Sequence, residues 1–272
     1  MKNEARKILI QYMQHWSLIP DGDCFYTRSG LLQPVRFEDV PAMLKIPMEA
    51  EEKRGSLLMV WWDGCGAARV LNYDEQVLLL ERLSGDRPSL AEIAKNGQDD
   101  EASCIICSVA AKLHSRGKRP LPALIHPAEW FSDLWPAANK YGAVFDECAR
   151  IAKDLLNSPQ EIVVLHGDLH HENVLHSRIH GWVAIDPKGL AGERTFDYAN
   201  IFCNPNEEIA LTPGRLSRQL NVISKEASLD PKRLLQWIAA WAGLSAVWSI
   251  TEGEDAKVAL EIAELAIAGL RK

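Results

Sequence analysis

Residues 161–187 read EIVVLHGDLHHENVLHSRIHGWVAIDP and carry the strongest structural signal in the chain. The apolar runs Ile162–Leu165 and 182–185 have the length and composition of short β-strands. A polar side chain follows each run and a third lies between them, at Asp168, Asp186 and Asn173. The pattern predicts that these three side chains meet where the two strands end.

These residue types suit phosphoryl transfer from a nucleotide. Mg²⁺ prefers hard oxygen ligands and usually keeps waters and substrate phosphates in its coordination shell. Asn173 and Asp186 would supply two such oxygens with a single negative charge, which leaves positions for phosphate. Asp168 would orient an attacking hydroxyl and accept its proton. His166 and His170 would hold the loop by hydrogen bonds.

Two other interpretations of this segment remain open. Asp168 and Asn173 are also common helix-capping and turn residues. His166 and His170 are four residues apart, and together with the nearby His171, His176 and His180 they suggest a zinc hydrolase. Gly167 and the flanking strands argue against a shared helical face for these histidines, and the H-E-x-x-H order is absent.

The composition restricts the class of protein. A chain of 272 residues with 47% hydrophobic and 25% charged residues is ordinary for one large or two modest folded domains. Its net charge of -7 argues against nucleic acid or an anionic membrane as a partner and suits a cationic small molecule. No apolar leader follows the charged first residues, and the apolar stretch 237–250 is too short to span a bilayer. We therefore expect a cytoplasmic protein.

The first third of the chain predicts a small antiparallel sheet. An amphipathic helix is expected at 1–18, and a main helix at 47–61. Strands are expected at 24–27, 31–37, 41–46, 67–71 and 76–81. This order predicts a five-stranded N-terminal lobe over residues 1–83 with one main helix.

Lys45 is unusual because it lies within the apolar run of the third strand. A lysine ammonium there suits the α- and β-phosphates of a nucleotide when a carboxylate pairs with it, and Glu52 on the main helix is the expected partner. The alternative is an exposed charge on an edge strand. Ser29 and Gly30 would cover phosphates with their backbone amides.

Residues 82–85 are the expected hinge, so the backbone from Glu81 to Leu83 would hydrogen-bond adenine. Beyond residue 84 the pattern predicts a mostly helical second lobe over 84–272, with a capping box at Ser89 and longer helices at 99–115, 140–157, 230–250 and 254–270. Asp197 opens a further helix and is interpreted as a cap or as a brace for the 166–170 loop. Glu193, on a loop with two glycines, is a candidate substrate or supporting carboxylate.

Several longer motifs resemble a known family. HGDLH at 166–170, with Asn173 and Asp186, resembles the signature of aminoglycoside phosphotransferases and related small-molecule kinases. Further blocks are WWDG at 61–64, LLLER at 78–82, IDPKG at 185–189, GERTFDYAN at 192–200, RLL at 233–235 and LSA at 244–246. Over nearly the whole chain, these are similar to the aminoglycoside/hydroxyurea antibiotic-resistance kinase family, which includes streptomycin 6-phosphotransferases.

This resemblance implies an α+β, protein-kinase-like fold of two lobes and ATP-dependent O-phosphorylation. By matching positions, Asp168 is the catalytic base and Asn173 and Asp186 are the Mg²⁺ ligands. Lys45 and Glu52 form the phosphate-binding pair. The absence of H-R-D and A-P-E motifs argues against a protein substrate.

Streptomycin is the expected acceptor because it is cationic, and acidic residues of the second lobe would hold its guanidinium groups. The candidates are Glu193, Glu252, Glu254 and Asp255. Hydroxyurea, a sugar or an amino alcohol are alternative acceptors, and a nucleotide-binding module without activity is a further alternative. We expect a monomer.

Overall fold

Six strands in the N-terminal part of the chain form one antiparallel sheet. The structure, a computed structural model, describes residues 2–27, 30–83, 85–115 and 120–271. The strands are β1 (Ile19–Pro20), β2 (Phe25–Tyr26), β3 (Gly30–Phe37), β4 (Val40–Pro47), β5 (Val70–Asp74) and β6 (Val77–Glu81). Their order is β1-β3-β4-β6-β5, and β2 also pairs with β3.

The edge of this sheet differs from the single strand expected at 24–27. Two short strands, β1 and β2, both pair with β3, so the sheet has six strands rather than five. The sequence Pro20-Asp21-Gly22-Asp23 interrupts the edge, because proline and a glycine at φ +142° do not continue a regular ladder. Gln33 Nε2 donates to Gly22 O at 2.7 Å and ties this bend back to β3.

Helices cover both faces of the sheet. Helix α1 (Lys2–His15) packs on one face, and α2 (Ala50–Trp62) lies against the other. Because side chains alternate along a strand, Leu44 and Ile46 belong to the α1 side while Lys45 between them faces α2. A lysine therefore lies in a buried strand with its ammonium directed at a helix.

The rest of the chain is mostly helical. Its helices are α3 (Leu90–Ile93), α4 (Asp99–His114), α5 (Pro127–Trp130), α6 (Leu134–Tyr141), α7 (Ala143–Asn157), α8 (Glu207–Ala210), α9 (Arg215–Glu226), α10 (Pro231–Glu252) and α11 (Lys257–Leu270). A kinked segment, Ala94–Gln98, joins α3 to α4, with Gly97 at a non-helical φ of +88°, and a 3₁₀ segment covers Arg194–Cys203. The predicted capping box is confirmed, since the Ser89 and Glu92 side chains each bond the other's backbone.

Some predicted boundaries differ from the structure. The helix expected at 140–157 is divided between α6 and α7 by Gly142, whose φ of +68° is incompatible with a continuous helix. The strand expected at 67–71 begins only at Val70. Ala67 instead forms a parallel bridge with Ala184, and this bridge joins the segment after α2 to the second lobe.

Two small antiparallel strand pairs flank the loop that follows Leu165. β7 (Ile162–Leu165) pairs with β10 (Leu190–Glu193), and β8 (Val174–Ser177) pairs with β9 (Gly181–Ala184). The sequence predicted the runs at β7 and β9 but treated β8 and β10 as loop. Both missed strands have four residues, and β10 contains a glycine, so their pairing depends on the partner strand rather than on local propensity.

Helix α10 is the centre of the second lobe. Its length and hydropathy are sufficient for a membrane span, but most of its apolar window is buried inside the fold. Trp237 and Trp241 lie in the main hydrophobic core, as predicted, and Trp248 packs against it. The same core includes Leu58 and Met59 of α2, so apolar packing is continuous from the main N-terminal helix into the helical lobe.

Candidate active site

A buried lysine joins two carboxylates that are far apart in the sequence. Lys45 is 3% exposed, and its Nζ lies 2.5 Å from Glu52 Oε2 and 2.7 Å from Asp186 Oδ1. The predicted pairing of Lys45 with Glu52 is therefore confirmed. Because β4 carries Lys45, α2 carries Glu52 and the segment after β9 carries Asp186, three parts of the chain converge on one ammonium group.

Close packing of α2 explains how Asp186 reaches this position. A Cβ at Gly55 would lie 2.1 Å from the carbonyl oxygen of Pro187, so only glycine allows the helix to approach the segment after Asp186. Asp186 has a φ of +58°, a left-handed conformation that a side chain adopts at a cost. The tertiary packing therefore imposes the conformation that directs the carboxylate toward Lys45.

Asp197 holds the loop that carries Asp168. Its carboxylate accepts hydrogen bonds from the backbone N–H groups of His166 and Gly167, at 2.9 and 2.7 Å. His114 Nε2 lies 2.8 Å from the same carboxylate. The predicted role of Asp197 as a brace for the 166–170 loop is confirmed, and the brace lies on the 3₁₀ segment.

His166 connects this loop to the segment of Asp186. The ring is fully buried, its Nε2 lies 2.7 Å from Ile185 O, and its Nδ1 accepts the backbone N–H of Asp168 at 3.2 Å. Burial lowers the pKa of His166 below its ordinary value, although the carboxylates of Asp197 and Asp168 act in the opposite direction. The neutral ring therefore carries its proton on Nε2 and donates it to the carbonyl.

The Asp168 carboxylate is oriented by two amides. Asn200 Nδ2 donates to Oδ1 at 2.9 Å, and Asn173 Nδ2 lies 3.3 Å from Oδ2 and 2.8 Å from the Asp168 carbonyl. His170, predicted as a support, has its Nε2 4.0 Å from Oδ1. Asn200 was not predicted as a site residue. The sequence feature that could have identified Asn200 is the FDYAN motif, in which it follows Asp197 by three residues on the same 3₁₀ segment.

The oxygen atoms needed for a magnesium ion lie on adjacent strand ends. Ile185 N–H donates to Asn173 O at 2.9 Å, which brings Asn173 beside Asp186. Burial alone would raise the pKa of Asp186, but the positive charges of Lys45 and Lys188 hold it below its usual range. An ionised carboxylate and an amide oxygen form a donor set of the hard type that Mg²⁺ prefers, so the residues fit this ion.

The predicted nucleotide-loop and adenine residues lie on either side of Lys45 along β4, since Gly30 pairs with Pro47 and Glu81 pairs with Ala42. Ser29 lies outside the described residues, and the Gly30 N–H donates to Thr27 Oγ1 at 3.2 Å rather than facing open space. The Glu81 carboxylate accepts from Arg69 N–H and Ser177 Oγ, both at 2.8 Å. Leu83 follows β6 and is half-buried against the main core.

Glu193 lies away from the Lys45–Asp186 cluster. It is 2% exposed, and its carboxylate accepts hydrogen bonds from Arg233 at 2.6 Å and from Trp237 Nε1 at 2.8 Å. Gln160 N–H also donates to it, at 3.1 Å. The expectation that Glu193 contacts a substrate differs from this geometry, because strand β10 directs the side chain into the interior against α10.

The histidines that suggested zinc have separate environments. His166 and His171 are buried, whereas His176 lies 3.4 Å from Asp86. Within the described ranges, no group of three or more histidine, cysteine, aspartate or glutamate side chains has the arrangement of a metal site. The histidines that are close in the sequence therefore do not form a cluster of metal ligands in the part of the chain that the structure describes.

Comparisons with known proteins show which proteins this chain resembles in sequence and in fold. The family model described as aminoglycoside/hydroxyurea antibiotic resistance kinase matches residues 15–253. The chain is 48% identical to streptomycin 3''-kinase of Klebsiella pneumoniae over 246 residues, covering 89% of this chain and 92% of that protein. It is 30% identical to streptomycin 6-kinase of Streptomyces griseus over 275 residues, covering 96% and 87% respectively.

A solved structure of the same fold is a thermostable mutant of the aminoglycoside phosphotransferase APH(4)-Ia in complex with ADP and hygromycin B. The TM-score is 0.65 at 12% identity, and the match covers 95% of this chain and 97% of that one. The predicted fold class, α+β and protein-kinase-like with an antiparallel N-terminal sheet and a helical second part, is confirmed.

Proposed function

Since the chain belongs to the aminoglycoside/hydroxyurea antibiotic resistance kinase family, we propose that it transfers the γ-phosphoryl group of ATP to a hydroxyl of streptomycin. The observation that carries this proposal is the 2.7 Å contact between Lys45 Nζ and Asp186 Oδ1, formed by residues 141 positions apart. It supports a site in which one cation binds nucleotide phosphates beside a carboxylate suited to magnesium. The site would act in the cytoplasm, where ATP is available, in a monomer whose lobes are 1–83 and 84–272.

The nucleotide end of the site is proposed from the buried cluster. Lys45, held by Glu52, would bind the α- and β-phosphates. Asn173 and Asp186 would hold Mg²⁺, which neutralises phosphate charge when bound. The strained backbone of Asp186 supports this assignment, since such conformations are concentrated where function requires them.

Asp168 is the proposed general base. Its Oδ1 is held by Asn200 and its backbone N–H by His166, so the carboxylate has a defined orientation before substrate arrives. The acceptor hydroxyl would pass its proton to Asp168 as its oxygen attacks the γ-phosphorus and ADP departs.

The identity of the acceptor is proposed from the relatives. Both named streptomycin kinases cover most of this chain, and the 48% identity to the 3''-kinase against 30% to the 6-kinase favours the 3''-hydroxyl. The net charge of -7 supports a cationic acceptor, because an acidic surface attracts it before binding.

A coupled assay of ADP release with streptomycin, hydroxyurea, a sugar and an amino alcohol tests the proposal. We expect turnover with streptomycin, and phosphorus–proton correlation NMR of the product should place the phosphate on the 3''-oxygen. Asp168→Ala should lower kcat by roughly a hundredfold or more, whereas Asp146→Ala on the exposed face of α7 should not. A wild-type enzyme that releases no ADP with streptomycin, or an Asp168→Ala variant with near-full turnover, would contradict the proposal.

A further inference from the structure

Lys188 is a cation at the site to which the mechanism above gives no role. It lies two residues after Asp186, and its side chain is 16% exposed. Its Nζ lies 3.0 Å from Glu51 Oε1, 3.2 Å from Glu52 Oε1 and 3.9 Å from Asp168 Oδ2. One ammonium group therefore bridges the main N-terminal helix and the proposed general base.

The backbone of Lys188 is held firmly beside the loop that carries Asp168. Its N–H donates to His166 O at 2.7 Å, and Gly189 next to it has a φ of +75°. A Cβ at Gly189 would lie 3.2 Å from the Arg54 side chain, so α2 packs tightly over this turn. Because the backbone is held in this way, the flexible part of Lys188 is the side chain, which ends among the carboxylates of Glu51, Glu52 and Asp168.

Three carboxylates surround the ammonium of Lys188. They belong to Glu51, Glu52 and Asp168, and lie 3.0, 3.2 and 3.9 Å from its Nζ. Together with the carboxylate of Asp186, they lie around the ammonium groups of Lys45 and Lys188. A second fixed positive charge is therefore present before any ligand arrives.

The position of the Lys188 ammonium relative to Asp168 indicates which substrate atoms it can contact during catalysis. An attacking hydroxyl bonded to Asp168 lies about 3 Å from the carboxylate, and its oxygen lies about 3–3.5 Å from the γ-phosphorus in a reactive geometry. A cation 3.9 Å from the same carboxylate oxygen is then within reach of the equatorial oxygens of the transferred group. Those oxygens carry the charge of the transition state.

We propose that Lys188 contacts the γ-phosphoryl group as it is transferred, an assignment that rests on the proposed function. The ammonium has three donors, so it can keep Glu52 while it exchanges Glu51 for a phosphoryl oxygen. In the step, the bond from the acceptor oxygen to phosphorus forms and the bond from phosphorus to the β,γ-bridging oxygen breaks. The hydroxyl proton goes to Asp168, and Lys188 retains its own protons.

A purely structural role makes a different prediction. If Lys188 only ties the loop after Asp186 to α2, its loss would weaken every nucleotide equally and lower the thermal stability. If it contacts the γ-phosphoryl group, its loss would weaken a nucleoside triphosphate but not a diphosphate. The comparison of the two nucleotides therefore separates the roles.

The experiment compares Lys188→Met with Lys53→Met, which removes the same charge from an exposed position on α2. We expect Lys188→Met to lower kcat with streptomycin by about a hundredfold, the size of effect seen when one donor to a developing charge is removed. Calorimetry should show that Lys188→Met binds the magnesium complex of a non-hydrolysable ATP analogue at least fivefold more weakly than wild type does. Its affinity for Mg-ADP should differ from that of wild type by less than twofold. Lys53→Met should leave all three values unchanged.

Two further variants keep the result decisive if Lys188→Met does not fold. Lys188→Arg retains the charge and should recover part of kcat, whereas Lys188→Gln should resemble the methionine variant. Equal weakening of both nucleotides, or a kcat within threefold of wild type, would overturn the inference while leaving streptomycin phosphorylation intact. A wild-type enzyme that binds neither nucleotide would overturn the proposed function itself, and this inference with it.

Discussion

The amide of Asn200 links the proposed base to the core of the helical lobe. Its Nδ2 donates to Asp168 Oδ1 at 2.9 Å, while its Oδ1 accepts the indole N–H of Trp241 at 2.9 Å. Because an indole nitrogen only donates, the amide oxygen must face Trp241 and the amide nitrogen must face Asp168. Helix α10 therefore determines the orientation of a side chain next to the reacting atoms.

Asn200→Ala should lower kcat by about tenfold or more, because the Asp168 carboxylate loses its orienting donor, while KM for streptomycin changes little. The variant also leaves the Trp241 N–H without its partner, which should cost about 1–3 kcal/mol of unfolding free energy. Steady-state kinetics and urea denaturation measure the two effects. Asn204→Ala is the control, since Asn204 Nδ2 donates to the Asn200 oxygen rather than to the Asp168 carboxylate. Equal kcat values for the two variants would contradict the positioning role.

Asp186→Ala should abolish magnesium-dependent nucleotide binding. The substitution removes one of the two proposed metal ligands and frees Lys45 from its 2.7 Å contact. Calorimetric titration with ATP, in magnesium and then in excess chelator, should show a magnesium-dependent difference for wild type and none for the variant. Asp154→Ala, at an exposed position of α7, should behave as wild type. Unchanged Mg-ATP affinity in Asp186→Ala would remove Asp186 from metal binding.

Glu193→Ala should destabilise the protein without changing KM for streptomycin. Burial acts to raise the pKa of Glu193, but hydrogen bonds from Arg233 and Trp237 hold it below its usual range, so the carboxylate is charged inside the fold. Its removal leaves Arg233 without its buried carboxylate partner, which should cost about 3–5 kcal/mol in urea denaturation. Glu193→Gln, which keeps an acceptor for Trp237, should cost less. A tenfold rise in KM at unchanged stability would instead make Glu193 a substrate ligand.

The free energy of unfolding should fall as the pH drops below about 6.5, the ordinary pKa of histidine. Burial, together with the positive charge of Arg215, lowers the pKa of His171 to about 3 in the folded protein. Between these values the unfolded chain binds a proton that the folded chain does not, so stability rises with pH there. Each such histidine contributes about 1.4 kcal/mol per pH unit. The buried His166 acts in the same direction.

His171→Leu tests this pH dependence. Urea denaturation at pH 6 and pH 5 should show a slope smaller than that of wild type by about 1.4 kcal/mol per pH unit. His180→Leu is the control, because it makes the same replacement at an exposed position. A His171→Leu slope equal to that of wild type would show that His171 does not resist protonation in the folded protein.

Much of the site was predictable because its chemistry is local in the chain. The family resemblance came from short motifs around Asp168 and Asp186, and the comparisons confirm it. The pairing of Lys45 with Glu52 followed from a lysine in an apolar strand and a helix directly after it. The brace by Asp197 was one of the two roles that its motif suggested, although the loop that it holds lies about 30 residues earlier.

Other parts of the site were not predictable, since their partners are distant in the chain. Asn200 was in a recognised motif, but its bond to Asp168 depends on a 3₁₀ segment and on a tryptophan 41 residues later. Glu193 was predicted as a possible substrate ligand because it lies on a glycine-containing stretch. No neighbouring residue in the sequence indicates that β10 directs its side chain toward Arg233 on α10. Strands β8 and β10 were missed since four-residue runs acquire strand structure only from a partner.

The sequence by itself determined which chemical groups are present and which lie at strand ends, because hydrophobic periodicity and short motifs act over a few residues. Only the tertiary structure decided which groups meet. The close approach of α2 at Gly55 brings Lys45 and Glu52 to Asp168, Asp186 and Lys188 across more than a hundred residues of chain. The physical reason is that burial of apolar surface is non-directional, so the contacts between distant charged groups are settled by how the helices and strands pack.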